Sequence, residues 1–396
     1  MATVATGSAA PDEPRPAFGE AERVAAEQLA LELGEMGRDA AVQPFWVRPY
    51  WWASQAICSG LGVLASVLAI RQPLTGLLIA FGALVLALAD ETRLQPLRRL
   101  TPSRGGQNVV SRPPAGPPPG GIYLVVTAPI DDRRPARSAG LTRSLILANA
   151  LALGLVIVCA ALRLGGFGGL LLDVAQLLPT LFLLALILAF LDRGTATPEA
   201  DHTASRAALE LVGRLDALPP ENLAVAVVLA GAGDAHAAGL RHWLSTRRRR
   251  GMSPRETAIL AIESCGSGDP VWWKRDGTVV ATGLHPQLKS AAARAAEELP
   301  ELETRAVSGP DATAAGVARG SRWPALAIGA RPPEAREGPD ETAGGRSEGD
   351  RTRQQDAVAE TVSFGEEIVR QLDREIGERA GDGQSSSSPS SSPSSS

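Results

Sequence analysis

The sequence predicts an α/β fold: a mostly parallel sheet layered between helices, interrupted by two transmembrane helical hairpins. Three observations lead there. Short runs rich in Val, Ile, Leu and Ala alternate with segments of helical apolar spacing, the pattern of strands and crossover helices packed in layers. Residues 51–91 and 141–192 are almost free of charge, whereas residues 331–396 are polar and rich in Gly, Ser and Pro. Nine arginines fall between the two apolar regions, against two in their turns.

Taken in chain order, Ala17 to Met36 carries Val24, Leu29, Leu31 and Leu33 among Glu and Gln and reads as a helix. Val42 to Val47 is strand-like. Asn108 to Ser111 begins another strand, and Gly121 to Ala128 is a buried one. Ala204 to Leu218 is an amphipathic helix. Leu223 to Ala230 is a strand, followed by a Gly/Ala-rich helix through Leu244. Thr257 to Glu263 and Ala325 to Gly329 are further strands, and Pro286 to Glu298 is a helix. Gly365 to Gly377 places Ile368, Leu372 and Ile376 at helical spacing.

A helix needs roughly 20 apolar residues to cross a hydrocarbon layer of about 30 Å. Trp51 to Ile70 and Leu74 to Ala89 form one pair, joined by Arg71-Gln72-Pro73. Ser144 to Leu162 and Gly169 to Leu191 form the second, joined through Arg163. Gly60, Gly62, Gly76 and Gly82 permit close helix packing. Tyr50, Trp51 and Trp52 stand where amphipathic rings favour the membrane interface. Asn149, Asp173 and Gln176 are so few that the helices read as an anchor. The nine arginines are Arg93, Arg98, Arg99, Arg104, Arg112, Arg133, Arg134, Arg137 and Arg143, against Arg71 and Arg163. That asymmetry predicts a cytoplasmic soluble domain by the positive-inside rule. The first 40 residues, with eight Asp and Glu and no apolar run, do not read as a secretory signal.

The expected organisation is residues 1–50 as the first helix and strand, 51–91 as the first hairpin and 92–140 as further strands. Residues 141–192 are the second hairpin, 193–330 the main part of the soluble domain, and 331–355 a disordered insertion. Residues 356–380 are a closing helix, and 381–396 a disordered Ser/Pro tail. The net charge of −4 gives no reason to expect a nucleic-acid partner; the bilayer is the partner the sequence names, with any protein partner left unknown. Arg247 to Arg250 is the dense basic cluster, read as a solvated loop or as a contact with anionic lipid. Three cysteines imply no disulfide framework. The four histidines, His202, His236, His242 and His285, form no local zinc pair.

The order of these segments resembles the co-catalytic zinc exopeptidases of family twenty-eight, the leucyl aminopeptidase and glutamate carboxypeptidase type. The resemblance runs from Phe18 to Ile376, with the hairpins and residues 331–355 as insertions. The opening F-G-E-A-E-R-V-A-A-E-Q-L-A-L-E-L-G-E-M-G with V-Q-P-F is similar to that family's first helix and strand. Q-N-V-V at Gln107 to Val110 resembles the strand leading to its metal site. A-G-A-G-D-A-H-A-A-G-L-R-H-W-L, Ala230 to Leu244, is similar in spacing to its G-x-E-E-x-G-x-x-G-S-x-x-F.

The resemblance implies a membrane-anchored form of a metallopeptidase hydrolase whose two zinc ions lower the pKa of bound water to about 7. The sequence departs from that chemistry position by position. The H-x-D strand end is Pro129-Ile130-Asp131, the general-base position is Gly233, and Asp311 to Ala315 holds no imidazole. The bridging position is Asp201, the neighbouring ligand position Asp234 and the next acidic position Glu263. The metal expectation is therefore a remnant of Asp201, Asp234 and Glu263, suited to a hard ion such as calcium or magnesium if any, with His202 or His236 as replacement ligands. No catalytic residue and no resident cofactor are expected, although the family would use zinc.

Three functions follow as readings. The leading one is a pseudoenzyme that acts by binding or assembly. The second is an active metallo-aminopeptidase with a rearranged metal site. The third is a membrane scaffold or transport component, which requires polar residues facing one another across the four helices.

Overall fold

The computed structural model describes residues 15–91, 96–131, 137–195, 201–233, 237–277, 282–309, 313–332 and 348–385. At its centre is a nine-stranded mixed sheet lying between helices. Strand β4 (Leu223–Ala230) is an unbroken apolar run buried along its whole length, as a strand covered on both faces must be. Its odd residues, Leu223 to Leu229, join one core and its even residues, Ala226 to Ala230, the other. The same alternation holds in β3 (Ile122–Pro129), β5 (Thr257–Ile262) and β9 (Ala325–Arg331).

The first core is closed by α1 (Glu20–Glu35), α6 (Thr203–Ala217), α8 (Pro286–Glu298) and α10 (Glu348–Ser385). The second is closed by α7 (Ala238–Arg249) and α9 (Ala314–Gly320). In α6 the buried Ala204, Ala207, Ala208, Leu211, Val212 and Leu215 recur at three- and four-residue steps, so the helix lays one stripe on the sheet. Ion pairs tie elements around the sheet together. Arg38 donates to Asp216 and to the carbonyl of Val225. Arg319 pairs with the fully buried Asp276, which also accepts from Thr313.

The strand order is β1-β2-β4-β3-β5-β9-β6-β7, with β1 (Ala40–Val47), β2 (Arg104–Ser111), β6 (Asp269–Asp276) and β7 (Thr282–Gly283), while β8 (Arg305–Ser308) pairs with β6. The expectation of a mostly parallel sheet needs correction. β4, β3, β5 and β9 are parallel, as is β8 beside β6, but the β1–β2, β2–β4, β6–β9 and β6–β7 pairings are antiparallel. Strands β6 to β8 carry no sequence signal because Pro270, Lys274 and Arg275 interrupt β6. Its two buried rings, Trp272 and Trp273, face opposite cores. Pro44 is tolerated in β1 because β1 is an edge strand and needs no second ladder.

Part of the expected disordered insertion is also corrected. Residues 348–355 begin α10, a polar, mostly exposed lead-in to the buried stripe from Ala357 to Ile376. Residues 333–347 and 386–396 lie outside the described residues.

Four helices are long and apolar enough to cross a membrane: α2 (Trp51–Ala69), α3 (Pro73–Asp90), α4 (Arg137–Leu164) over Thr142–Leu164, and α5 (Leu170–Thr195) over Leu170–Asp192. They pack into one bundle with its own core, while leucines such as Leu78, Leu151, Leu178 and Leu188 point outward. Of the four small residues expected at helix contacts, two are there. A Cβ on Gly62 would lie 2.5 Å from the Leu153 side chain, and one on Gly76 would lie 2.6 Å from the Ala65 carbonyl. Gly60 and Gly82 face open space. Trp51 is buried edge-on against Phe190, with centroids 6.4 Å apart.

The bundle interior is polar in two layers. In the first, Asn149 Nδ2 donates to Gln55 Oε1 at 2.9 Å and Ser59 Oγ donates to Asn149 Oδ1 at 3.0 Å. Ser54 Oγ donates to Asp90, which also accepts from the Arg98 side chain at 2.9 Å. In the second, Gln176 Nε2 reaches the Ser66 carbonyl, Arg163 donates to Gln176 Oε1 at 2.7 Å, and Ser66 meets Thr180 at 2.7 Å.

Two outcomes are expected. Gly76→Ala lowers the detergent-unfolding midpoint of the purified protein, because the nearest atoms, the Ala65 carbonyl and the Ala69 Cα and Cβ, belong to the facing helix and cannot rotate away, whereas Gly82→Ala leaves it unchanged. Residues 193–330 expressed alone, lacking β3 from between β4 and β5, give no cooperative unfolding transition in urea.

Candidate functional site

The four parallel strands end together. Pro129 of β3, Ala230 of β4, Ile262 of β5 and Arg331 of β9 lie at one edge, the carboxyl edge, where open α/β sheets form their ligand crevices. From β3 the chain moves to β4 on one side and then to β5 on the other, so β3 is the strand at which the winding reverses.

Asp131, two residues past β3, is 1% exposed, and its Oδ1 accepts the backbone N–H of Gly233 at 2.7 Å. Glu263, directly after β5, is buried, and its Oε1 accepts the N–H of Ala314 at 2.8 Å, at the first residue of α9. Asp201 accepts the N–H of Thr203 at 3.2 Å and its hydroxyl at 2.5 Å, closing a turn before α6. Thr203 Oγ1 in turn accepts the N–H of Cys265 at 2.8 Å. The Asp201 and Glu263 segments therefore meet through Thr203 and Cys265. The Cys265 thiol is fully enclosed, and burial pushes it up to about 12, so it stays protonated.

Asp234 and His236 lie outside the described residues. His202 precedes α6 and its carbonyl accepts from Ser205 Oγ at 3.1 Å. His242 stacks on Phe45 with centroids 5.7 Å apart, and His285 occupies the N-cap of α8.

Two residues at this edge were not singled out from the sequence. Asn108 of β2 clamps the loop between β4 and α7: its Oδ1 accepts the Gly231 N–H at 3.1 Å and its Nδ2 donates to the Gly239 carbonyl at 3.0 Å. The approach is so close that a Cβ on Gly239 would lie 2.3 Å from Asn108 Oδ1. Glu22 is 1% exposed and accepts the N–H groups of Phe18 at 2.5 Å and Gln107 at 2.9 Å. Its signal was present, since Glu22 extends the buried stripe of Ala25, Ala26, Leu29 and Leu33 by one turn. Burial raises its carboxyl above the ordinary value, against the two backbone hydrogen bonds. A cleft of about 240 Å³ opens beside it, lined by Phe18, Glu22, Gly106 and Gln107.

The described residues at this edge do not by themselves supply the donors of a two-zinc site. Among the described residues no three His, Cys, Asp or Glu are grouped closely enough to hold a metal ion. The carboxylates at the strand ends hold backbone N–H groups, and Pro129 and Gly233 supply neither an imidazole nor a carboxylate.

All four apolar helices leave and return at this same edge. Val47 of β1 and Arg104 of β2 pair beyond the end of β4 and flank the first hairpin. Pro129 and Asp201 flank the second. Arg241 of α7 is close enough to act electrostatically on Glu91 at the foot of α3.

No protein-family model matches the sequence, and no characterised protein sequence matches it. Among solved structures, the chain is similar to an aminopeptidase from Aneurinibacillus sp. strain AM-1, with TM-score 0.49, 11% identity and 91% of each chain covered. It is also similar to BSAP, a zinc aminopeptidase from Bacillus subtilis, with TM-score 0.47, 10% identity and 90% of each chain covered. A glutaminyl cyclase from Porphyromonas gingivalis has TM-score 0.43 and 12% identity, over 91% of this chain and 93% of that one.

Asn108→Ala is expected to reduce unfolding free energy by about 1–3 kcal/mol, because the Gly231 N–H and Gly239 carbonyl lose a buried partner; chemical denaturation measures it. Glu22 makes stability depend on pH. Its folded-state pKa lies above the unfolded one, so its contribution is complete below the unfolded pKa and is lost as pH rises through the folded value. The stability difference between wild type and Glu22→Ala should therefore shift against wild type as pH is raised from about 4 to about 7.

Proposed function

We propose that this protein is a membrane-anchored, peptidase-like domain that does not hydrolyse peptides and acts by binding or assembly. The observation that carries it is the use of the strand-end carboxylates. Asp131, Asp201 and Glu263 each accept a backbone N–H of the surrounding loops, so the positions that resemble a metal site here hold the carboxyl edge in shape. Gly233 stands where a general base is needed, and loss of such a base alone lowers rate by roughly 10²–10⁴-fold. Asp234 adds the remaining acidic position of the proposed remnant. The outward leucines of α2 to α5 face lipid, and the arginine asymmetry sets the soluble domain in the cytoplasm with both hairpin turns outside.

The bundle interior favours the scaffold form of the third reading over transport. Polar side chains do face one another across the helices, as Gln55, Asn149 and Ser59 do, but they bond to one another and set the register of the two hairpins. A carboxyl edge held against the bundle presents any bound partner at the membrane surface.

Zinc content and aminopeptide turnover of the purified full-length protein, beside Asp201→Ala, test the reading. The expected result is sub-stoichiometric zinc and no turnover above buffer. Stoichiometric zinc with turnover abolished by Asp201→Ala would overturn it in favour of the rearranged metallo-aminopeptidase. Topology is read by labelling single cysteines with an impermeant reagent in intact cells. Gly166→Cys should label and Ser138→Cys should not; the reverse pattern inverts the orientation.

A further inference from the structure

The arginine run at the end of α7 is not at the membrane edge. α7 starts beyond the carboxyl end of β4 and runs back along the sheet, so Arg247 to Arg250 lie at the amino edge, where the chain turns into β5 through Pro254. The bundle occupies the opposite edge. A contact between this run and the bilayer that holds α2 to α5 is therefore ruled out by the length of the sheet: eight residues of β4, at roughly 3.3 Å each, separate the two edges.

The run does not stand alone. Arg112, just past the amino-edge end of β2, is near enough to Arg247 to act on it, and Arg322 leads into β9 beside Trp323. Arg112, Arg248, Arg249, Arg250 and Arg322 are exposed and Arg247 half-buried. Among the described residues, none of the six is in an ion pair, in a chain whose net charge is −4. Two are fixed in place: the Arg247 guanidinium lies 5.3 Å over the Trp243 ring and that of Arg248 lies 5.4 Å over Trp323. A guanidinium held over an indole has less freedom to lose when it binds.

We propose that this amino-edge surface docks an acidic polypeptide segment, through forked hydrogen bonds from the pinned and flanking guanidiniums to its carboxylates. The indoles argue against a single-stranded nucleic acid. Trp243 and Trp323 are 3% and 2% exposed beneath their arginines, so no ring is open for a base to stack on. Their place in the fold also suits a soluble partner, because the patch points away from the helices that meet lipid.

The test uses full-length protein in neutral nanodiscs. The probe is a fluorescent peptide of alternating Glu and Ser, compared with a Gln/Ser peptide of equal length, an oligothymidylate of equal charge, and phosphatidylserine vesicles. Fluorescence anisotropy should show binding of the Glu peptide that weakens with salt and exceeds that of the other three probes. Reversing all four arginines (Arg247→Glu to Arg250→Glu) should weaken it by about tenfold or more. Arg249→Glu with Arg250→Glu leaves both stacked pairs intact, keeps the fold, and should weaken it severalfold. Lys289→Glu with Arg294→Glu, on α8 beyond the other face of the sheet, should leave it unchanged. Equal binding of the Gln/Ser peptide, tighter binding of the oligothymidylate or the vesicles, or an unchanged affinity in the Arg249/Arg250 variant would each overturn the proposal.

Discussion

A helical hairpin returns to the side it left, and that constraint shapes the whole molecule. A sheet interrupted twice by such hairpins can stay intact only if each excursion begins and ends on the same edge. Here both do. β1 and β2 form a ladder of eight paired residues, of which the four pairs from Pro44–Gln107 to Val47–Arg104 run on past the end of β4, and the first hairpin springs from its tip. The second leaves after β3 and returns before α6, replacing the short loop that would otherwise join them. Because β3 is also the strand where the winding reverses, the crevice of the sheet and the root of the bundle coincide. Neither could be moved without cutting the ladder of parallel strands.

The same constraint explains where the bundle keeps its polar groups. In an apolar bundle core an unsatisfied amide is costly, so polar side chains must find one another. Gln55 and Asn149 come from different hairpins, as do Ser66 and Gln176. Each pair bonds only when the hairpins share one register, which gives specificity that leucine packing alone lacks. Asp90 at the foot of α3 extends this logic toward the sheet. It accepts from Ser54, from the Arg98 side chain and from the N–H groups of Leu97 and Arg98, so the chain that leaves the bundle is held at the angle that feeds β2.

Much of this fold is legible in the sequence because its periods are clean. The all-apolar β4, the stripe of α6 and the four long apolar helices each carry a single period over enough residues to identify the element. What was not legible has physical reasons. Strand β6 breaks its pattern with Pro270, Lys274 and Arg275, where its partners on the side away from β9 are the short β7 and β8, yet Trp272 and Trp273 cover both of its faces. The lead-in of α10 from Glu348 has no apolar residue to mark it and is helical because the buried stripe that follows nucleates it. The antiparallel flanks depend on where the hairpins leave the sheet, and no local pattern encodes that. At the carboxyl edge, Asp131 and Glu263 are marked in the sequence only by the resemblance to the zinc exopeptidases, whose motifs fall at these two positions. Asn108 was passed over because an amide inside a strand reads as ordinary until the glycines it clamps, Gly231 and Gly239, are seen in space.

Carboxylates at the ends of parallel strands invite a metal-site reading, and here a simpler requirement accounts for them. The loops that leave β3, β4 and β5 must turn sharply into helices or toward the bundle, and such turns leave backbone N–H groups without intrahelical partners. Water cannot serve them, since Asp131 and Glu263 are buried. A carboxylate placed at the strand end serves them well, because one side chain accepts more than one donor and the hydrogen bond to a charged acceptor is short. Gly233 and Ala314 are the N–H groups so held. Their carboxylates would be needed at these places whether or not an ion had ever been bound, so an acidic residue at a strand end is a weak sign of metal chemistry unless an imidazole or a second free carboxylate faces it.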